Sequence, residues 1–119
     1  MKFIHLSDLH FHRHDVDNKE IIATLKYVKD NYKNHYIVVT GDIVDDGHEK
    51  QYDNAYEALK EFEGRIFISP GNHDFGAVGA FYSLEMAKRF DEKLSIPLKQ
   101  GGTFSEENTP VVNVVRENK

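Results

Sequence analysis

The chain has 119 residues, of which 39% are hydrophobic and 29% are charged, and its formal net charge is −5 at pH 7. This length suits a single domain with one hydrophobic core, and the composition is that of an ordinary globular protein. The acidic balance argues against general affinity for nucleic acid phosphates, and the absence of cysteine excludes disulfides and thiolate metal sites.

The N-terminus carries neither a signal-peptide pattern nor a membrane span. Only a few apolar residues precede Ser7 and Asp8, and no later segment has the length and hydrophobicity that a transmembrane helix needs. We therefore expect a soluble, cytoplasmic protein without membrane partners.

Strand-like and helix-like segments alternate along the chain. β-Branched and apolar runs predict strands at residues 2–7, 36–41 and 65–69. Helical periodicity predicts helices at residues 18–33, 49–64 and 77–93, with Asp17 or Asn18 as the N-cap of the first helix. A long loop is predicted from residue 95 to 110, followed by a fourth strand at residues 111–115. The βαβαβ order predicts an α/β fold with parallel strands, right-handed crossovers and helices covering the sheet.

Polar side chains follow each of the first three predicted strands. The first strand runs into Ser-Asp-Leu-His, the second into Gly-Asp-Ile-Val-Asp and the third into Gly-Asn-His-Asp. In open α/β sheets, ligands bind outside the carboxyl ends of the strands. Each motif alone is typical of a turn or a helix cap, whereas three of them at one edge of a sheet favour a ligand site.

The chemistry that suits this set of side chains is a pair of divalent cations bound side by side. Such a pair needs one carboxylate that bridges the ions and further oxygen and nitrogen ligands on each flank. Mn, Fe, Zn, Ni and Co all accept these ligands, so the sequence does not choose among them. Paired cations can generate hydroxide at neutral pH and clamp the oxygens of a phosphoryl group.

The three motifs, DLH at residues 8–10, GDIVD at 41–45 and GNHD at 71–74, resemble those of the calcineurin-like metallophosphoesterases. The stretch FIHLSDLHF together with GNHD looks most like the bacterial branch that includes class III cyclic nucleotide phosphodiesterases; DNA repair nucleases of the superfamily carry similar signatures. The resemblance implies the βαβαβ half of a four-layer αββα sandwich, with a mostly parallel sheet and helices on its outer face. It also implies that residues 1–119 are the N-terminal portion of the phosphoesterase domain.

The resemblance implies the ligands of both metal ions. Asp8 and His10 would bind the first ion, Asp42 would bridge the two ions, and Asn72 would bind the second. The family pattern continues with a glycine-histidine pair and a GHxH segment that complete both coordination spheres, and neither occurs here, because the last histidine is His73. We therefore expect an incomplete second site.

The resemblance also implies how the remaining motif residues act. His73 would donate a proton to the leaving oxygen or stabilise the transition state, and Asp74 would hold the imidazole of His73 in orientation and raise its basicity. Asp45 is expected to support the ligands without binding metal. His12 is a candidate accessory or substrate-facing residue, the alternative being that the HFHRH segment is a flexible loop.

Three other histidines have simpler predicted places. His5 lies inside the first strand and is predicted to pack in the core. His48 is predicted to begin the second helix rather than to bind metal. His35 precedes the second strand, at the end remote from the site, and we predict no function for it.

Two classes of function follow from these observations. The first is a metal-dependent phosphoesterase that hydrolyses phosphodiester or phosphomonoester bonds of small phosphorylated substrates, cyclic nucleotides among them. The second is a non-catalytic half-domain that binds metal or a partner chain. A nuclease is disfavoured by the net charge of −5. Because the sheet would lack its partner sheet, we expect the chain to form a homodimer or to pair with a complementing chain.

Overall fold

The computed structural model describes residues 1–75, 83–106 and 111–116 of the chain. Three strands form one parallel sheet in the order β1–β2–β3. Strand β1 is Phe3–Ser7, β2 is Tyr36–Thr40 and β3 is Ile66–Ser69. The predicted α/β class with a parallel sheet is thus confirmed.

Helices follow each of the first two strands and the third strand-end motif. Helix α1 is Lys19–Asn31, α2 is Glu49–Leu59 and α3 is Leu84–Phe90. Short 3₁₀ turns occupy Asp15–Asn18, Lys60–Phe62 and Asn72–Phe75, and a π-helical segment, Asp91–Ser95, continues α3. No described helix has both the length and the apolar character needed to cross a bilayer.

The helix starts bear on two sequence predictions. Asn18 is the N-cap residue of α1, as predicted, but its side chain makes no capping hydrogen bond. His48 is the N-cap of α2, and its Nδ1 accepts a hydrogen bond from the backbone N–H of Lys50 at 3.1 Å. The predicted place of His48 at the start of the second helix is confirmed.

The hydrophobic core lies between the sheet and the helices. Along each strand alternate residues point to opposite faces, and one face is buried: Ile37, Val39, Ile66 and Ile68 are each at most 4% exposed. The helical residues of the same core cluster are Leu25, Val28, Tyr52, Ala55, Leu59, Phe90 and Leu94. Fully burying one such apolar side chain stabilises the fold by about 1.5–3 kcal/mol. Both crossover helices therefore cover the same face of the sheet.

The opposite face, which we call the open face, is apolar and partly exposed. It carries Phe3, Tyr36, Val38 and Phe67, and Phe3 is 49% exposed. The rings of Phe3 and Tyr36 lie 5.7 Å apart, and those of Tyr36 and Phe67 stack at 6.0 Å. These contacts form an aromatic row that crosses all three strands.

His5 also lies on the open face, and its prediction as a core residue was wrong. The residue is exposed, and its Nε2 lies 2.6 Å from the hydroxyl oxygen of Thr40. The alternation of the strand explains the error, since it is Ile4 and Leu6 that pack against the core.

Two further elements differ from the prediction. Helix α3 begins at Leu84, and residues 77–82 of the helix predicted at 77–93 lie outside the described residues. The π-helical continuation ends at Ser95, where the long loop was predicted to start. Residues 111–116 form no strand, so the predicted fourth strand was wrong. Instead Asn113 Oδ1 accepts a hydrogen bond from the backbone N–H of Gly101 at 2.7 Å, and β propensity alone does not make a strand where no neighbouring ladder is available.

Candidate metal centre

The segments that follow β1 and β2 stay paired beyond the ends of the strands. The backbone N–H of His10 donates to the carbonyl of Asp42 at 3.0 Å, and that of Phe11 donates to the carbonyl of Ile43 at 2.9 Å. Phe11 and Val44 form an isolated parallel bridge. The first two motifs are therefore held side by side by main-chain hydrogen bonds.

Buried apolar residues alternate with the polar residues of these motifs. Leu9 is 8% exposed, and Phe11, Ile43 and Val44 are fully buried. These four side chains anchor the two segments in the core. The polar residues between them, Asp8, His10, Asp42 and Asp45, are left at the carboxyl edge of the sheet.

Three of the predicted ligands have left-handed backbone conformations. The φ angles are 55° at Asp8, 49° at His10 and 48° at Asp42. Among non-glycine residues, aspartate tolerates this region better than most. Each such residue costs roughly 1–2 kcal/mol relative to a right-handed one.

The first candidate metal-binding group consists of Asp8, His10 and Asp42. One ligand atom from each lies within 4.8 Å of those of the other two, and His10 Nε2 is 3.8 Å from a carboxylate oxygen of Asp8. Asn72 is exposed at the start of the third motif. The next residue, His73, donates its backbone N–H to Oδ1 of Asp42 at 2.9 Å. The third motif thus meets the other two at Asp42.

A second group of the same kind consists of His10, Asp45 and His73. Asp45 Oδ1 lies 3.8 Å from His10 Nδ1, and its Oδ2 lies 3.6 Å from His12 Nδ1. His10 therefore presents Nε2 towards Asp8 and Nδ1 towards Asp45. At 3.8 Å the contact between Asp45 and His10 is longer than a hydrogen bond, so Asp45 acts on the ring of His10 by electrostatic attraction.

The ring of His73 is held by a main-chain group. Its Nδ1 lies 2.7 Å from the carbonyl oxygen of Asp45, and its ring packs edge-on against that of His10 with centroids 5.2 Å apart. The hydrogen bond to Asp45 is the main cause that raises the pKa of His73 above its ordinary value, and the negative charges of Asp42, Asp45 and Asp74 act in the same direction.

Asp74 has a different place from the one predicted. It is fully buried; its Oδ1 accepts from the backbone N–H of Val44 at 2.8 Å and its Oδ2 from that of Gly71 at 2.7 Å. Burial is the main cause that raises the pKa of its carboxyl to about 6. In this geometry the carbonyl of Asp45, and not Asp74, orients the ring of His73. The carboxylate of Asp74 instead joins the third motif to the second by its hydrogen bond from Val44.

Two parts of this arrangement had no signal in the sequence analysis. A carbonyl oxygen, such as that of Asp45, is present at every residue, so no residue type marks it. Tyr52 lies in the helix predicted at residues 49–64 and received no role there, yet its hydroxyl donates a hydrogen bond to the carbonyl oxygen of Asp74. A buried tyrosine usually has a partner for its hydroxyl, and this rule was the available clue.

The donor set suits divalent cations. Carboxylate and imidazole groups without thiolates are the ligands of Mn, Fe, Zn, Ni and Co sites, and the amide of Asn72 adds a further oxygen donor at the same edge. The spacing within each group is 4.8 Å or less, and two donors about 2 Å from one ion lie at most about 4 Å apart, so small side-chain movements would bring each group around an ion.

A parallel α/β sheet with carboxylates and imidazoles gathered at its carboxyl edge defines a metal-binding α/β protein. The sequence model of the calcineurin-like phosphoesterase family matches residues 1–115. The chain therefore belongs to the calcineurin-like phosphoesterase family, as its motifs predicted. Members of this family are metallophosphoesterases, which associates the chain with divalent cations and phosphoester hydrolysis.

A shorter similarity links the chain to one curated protein. Over 38 residues it is 50% identical to a probable cyclic nucleotide phosphodiesterase of Coxiella burnetii. The match covers 32% of this chain and 15% of that relative. The similarity is therefore local to one stretch of both proteins.

Proposed function

We propose that the chain is a metal-dependent phosphoesterase whose centre holds two divalent cations, and that residues 1–119 are the N-terminal portion of its catalytic domain. One observation carries the proposal: Asp8, His10 and Asp42 of the first two motifs place ligand atoms within 4.8 Å of one another, and the third motif joins them through the backbone hydrogen bond from His73 to Oδ1 of Asp42. Membership of the calcineurin-like phosphoesterase family supports the reaction class.

In the proposed centre Asp8 and His10 would hold the first cation, Asp42 would be shared by both cations, and Asn72 would hold the second. The bound cations supply Lewis acidity to the phosphoryl group and to the attacking water. Asp45 keeps Nε2 of His10 directed at Asp8 by facing its other ring nitrogen.

His73 is the proposed catalytic residue. Its ring is fixed through Nδ1 by the Asp45 carbonyl, which leaves Nε2 for the substrate. The protonated ring would give a proton to the leaving oxygen or a hydrogen bond to the transition state.

A small phosphodiester is the proposed substrate, with cyclic nucleotides as the first candidates. The relative named as a probable cyclic nucleotide phosphodiesterase supports this class. The net charge of −5 disfavours the long basic groove that a nuclease needs for a DNA backbone.

A specific observation also favours a second candidate, a non-catalytic half-domain that binds one metal ion or a partner chain. His73 is the last histidine of the sequence, so only Asp42 and Asn72 remain among the assigned ligands to hold the second cation. Two ligands are fewer than the three that even an open catalytic site retains. Water, substrate or chain outside these 119 residues would have to supply the others.

Hydrolysis of bis(p-nitrophenyl) phosphate and of cyclic AMP, with Mn²⁺ or with EDTA, tests the proposal. We expect Mn²⁺-dependent turnover that falls about 10²–10⁴-fold in His73→Ala, while Mn²⁺ still binds. His14→Ala is the control, since His14 is an exposed histidine that has no assigned role. Absence of turnover, with one Mn²⁺ ion bound per chain, would favour the half-domain.

A further inference from the structure

Asn18 is a buried polar side chain that has no part in the centre described above. It is 1% exposed and stands at the N-cap of α1, yet it forgoes the capping hydrogen bond that an asparagine there usually makes. A buried amide needs other partners. Those partners show what Asn18 does.

The side chain of Asn18 pairs with the main chain of His12 at two points. Its Oδ1 accepts the backbone N–H of His12 at 2.8 Å, and its Nδ2 donates to the carbonyl of His12 at 3.0 Å. The amide thus occupies both polar groups of one residue, as a neighbouring strand would. This residue lies two positions after the proposed ligand His10.

Asn54 of α2 makes further hydrogen bonds to the main chain at His12. Its Nδ2 donates to the carbonyl of His12 at 2.9 Å and to that of Arg13 at 3.2 Å. The carbonyl of His12 therefore accepts hydrogen bonds from side chains on two elements. Chain segments after a strand are ordinarily more mobile than the strand itself, and these bonds restrict this one.

His12, whose main chain is restricted by these hydrogen bonds, faces the proposed metal centre. His12 Nδ1 lies 3.6 Å from Oδ2 of Asp45, whose Oδ1 lies 3.8 Å from His10 Nδ1. The carboxylate of Asp45 stands between two imidazoles. One belongs to a proposed ligand, and the other belongs to His12, whose main chain is held by Asn18 and Asn54.

We propose that Asn18, assisted by Asn54, is a positioning residue of the metal centre. It fixes His12, His12 confines the carboxylate of Asp45, and Asp45 holds His10 in its ligating orientation. This inference rests on the proposed function, because it assumes that His10 binds a divalent cation. Asn18 itself touches no proposed ligand, so its effect passes through two intermediate side chains.

The test is the affinity of the purified chain for Mn²⁺, measured by electron paramagnetic resonance of the free ion. Outer partners of metal ligands typically account for 10–100-fold in affinity; for the more remote Asn18→Leu we expect a loss of roughly 3–10-fold. Asn31→Leu is the control. Asn31 lies on the same helix and donates the same kind of bond, Nδ2 to the carbonyl of Tyr27 at 2.9 Å, far from the centre, and this variant should bind like the wild type.

A double-mutant cycle distinguishes the proposed positioning role of Asn18 from a merely structural role. In a His12→Ala background the side chain that transmits the effect is missing, so Asn18→Leu should cause little further loss of Mn²⁺ affinity. An equal loss in both backgrounds would overturn the inference, as would a folded Asn18→Leu with wild-type affinity. If Asn18→Leu does not fold, Asn54→Ala takes its place in the same cycle. Asn54 is only half-buried, and its substitution removes the side-chain amide that donates to the carbonyl of His12.

The outcome also separates this inference from the proposed function. A wild-type chain that binds no Mn²⁺ would overturn the metal centre and the positioning role together. Wild-type binding of Mn²⁺ without the expected cycle would overturn the positioning role alone.

Discussion

Asp45 contributes three atoms to the site, each towards a different histidine. Its two carboxylate oxygens face His10 and His12, and its carbonyl oxygen accepts from the ring of His73. A substitution of its side chain removes the first two contacts and leaves the third in place. The roles of the carboxylate and the main chain can therefore be separated by mutation.

Asp74 makes the stability of the metal-free chain depend on pH. Burial raises the pKa of its carboxyl from the ordinary 3.8 to about 6. Between these pH values the folded chain binds more protons than the unfolded chain, so the free energy of unfolding falls as the pH rises through this window. The shift corresponds to about 3 kcal/mol in total.

Urea unfolding in EDTA at several values from pH 4 to pH 7 measures this effect of Asp74. The side chain of Asp74→Asn does not titrate, so the variant should lack the pH dependence that Asp74 gives to the free energy of unfolding. The other carboxyl groups contribute equally in the wild type and in the variant. The difference between the wild type and the variant should thus change by about 3 kcal/mol over that range. A difference that stays constant would contradict a buried, titrating carboxyl at this position.

At the scale of the elements, the centre depends on how closely the segments after β2 and β3 approach each other. A Cβ atom at Gly71 would lie 2.4 Å from Oδ1 of Asp42 and 2.5 Å from its backbone nitrogen. Gly71→Ala must therefore push the two segments apart. We expect a destabilisation of about 1–3 kcal/mol and a loss of Mn²⁺ affinity of roughly 10-fold.

Gly64→Ala is the control for this prediction. Gly64 has a φ of 89°, so alanine is strained there, but its Cβ would meet no atom within 4 Å. It precedes β3, at the end of the sheet remote from the centre. The variant should lose stability and keep its Mn²⁺ affinity, both measured as for Gly71→Ala. Wild-type affinity in Gly71→Ala would show that the close approach is not needed for binding.

The sequence predicted the elements best where a periodic pattern and a boundary signal agreed. The three strands and the first two helices have both, and each was found near its predicted bounds. The stretch at residues 111–115 has β propensity but no information about a partner, and a strand exists only with its partner. His5 was misplaced for a related reason, since alternation shows that two faces differ but not which one is buried.

For the site, the sequence predicted the side chains but not their main-chain partners. Residue types and spacing indicated which side chains gather at the carboxyl edge, because parallel strands bring their ends together. The partner of the His73 ring and the hydrogen bonds of Asp74 were not predictable, because they involve main-chain atoms. Such atoms are the same at every position of a sequence.

At the scale of the whole molecule, the structure has two layers. Its shortest extent is 20 Å, which matches one sheet and one layer of helices of about 10 Å each. In the aromatic row of the open face Phe3 is exposed, whereas Tyr36 and Phe67 are half-buried and line a cavity together with residues 112–116. Exposed apolar surface marks interaction sites, and we propose that a second copy of the chain covers the exposed part of this row.

Light scattering coupled to size exclusion tests this proposal about the open face. We expect the wild type to elute as a dimer at tens of micromolar, and Phe67→Lys to shift it to a monomer, because a charge within the aromatic row cannot be desolvated cheaply. The control is Ile22→Lys, which changes a 47% exposed apolar residue of α1. It should leave the mass unchanged. A monomeric wild type would leave a complementing chain as the remaining candidate for this face.

The left-handed backbone at Asp8, His10 and Asp42 sets heat resistance and ion capture against each other. Glycine is the residue that relaxes such a conformation, and it is also the residue that offers no ligand. Selection of variants for thermostability alone would therefore favour glycine at these three positions and remove the proposed metal ligands. A screen for thermostable variants of this protein has to be run with the cation present.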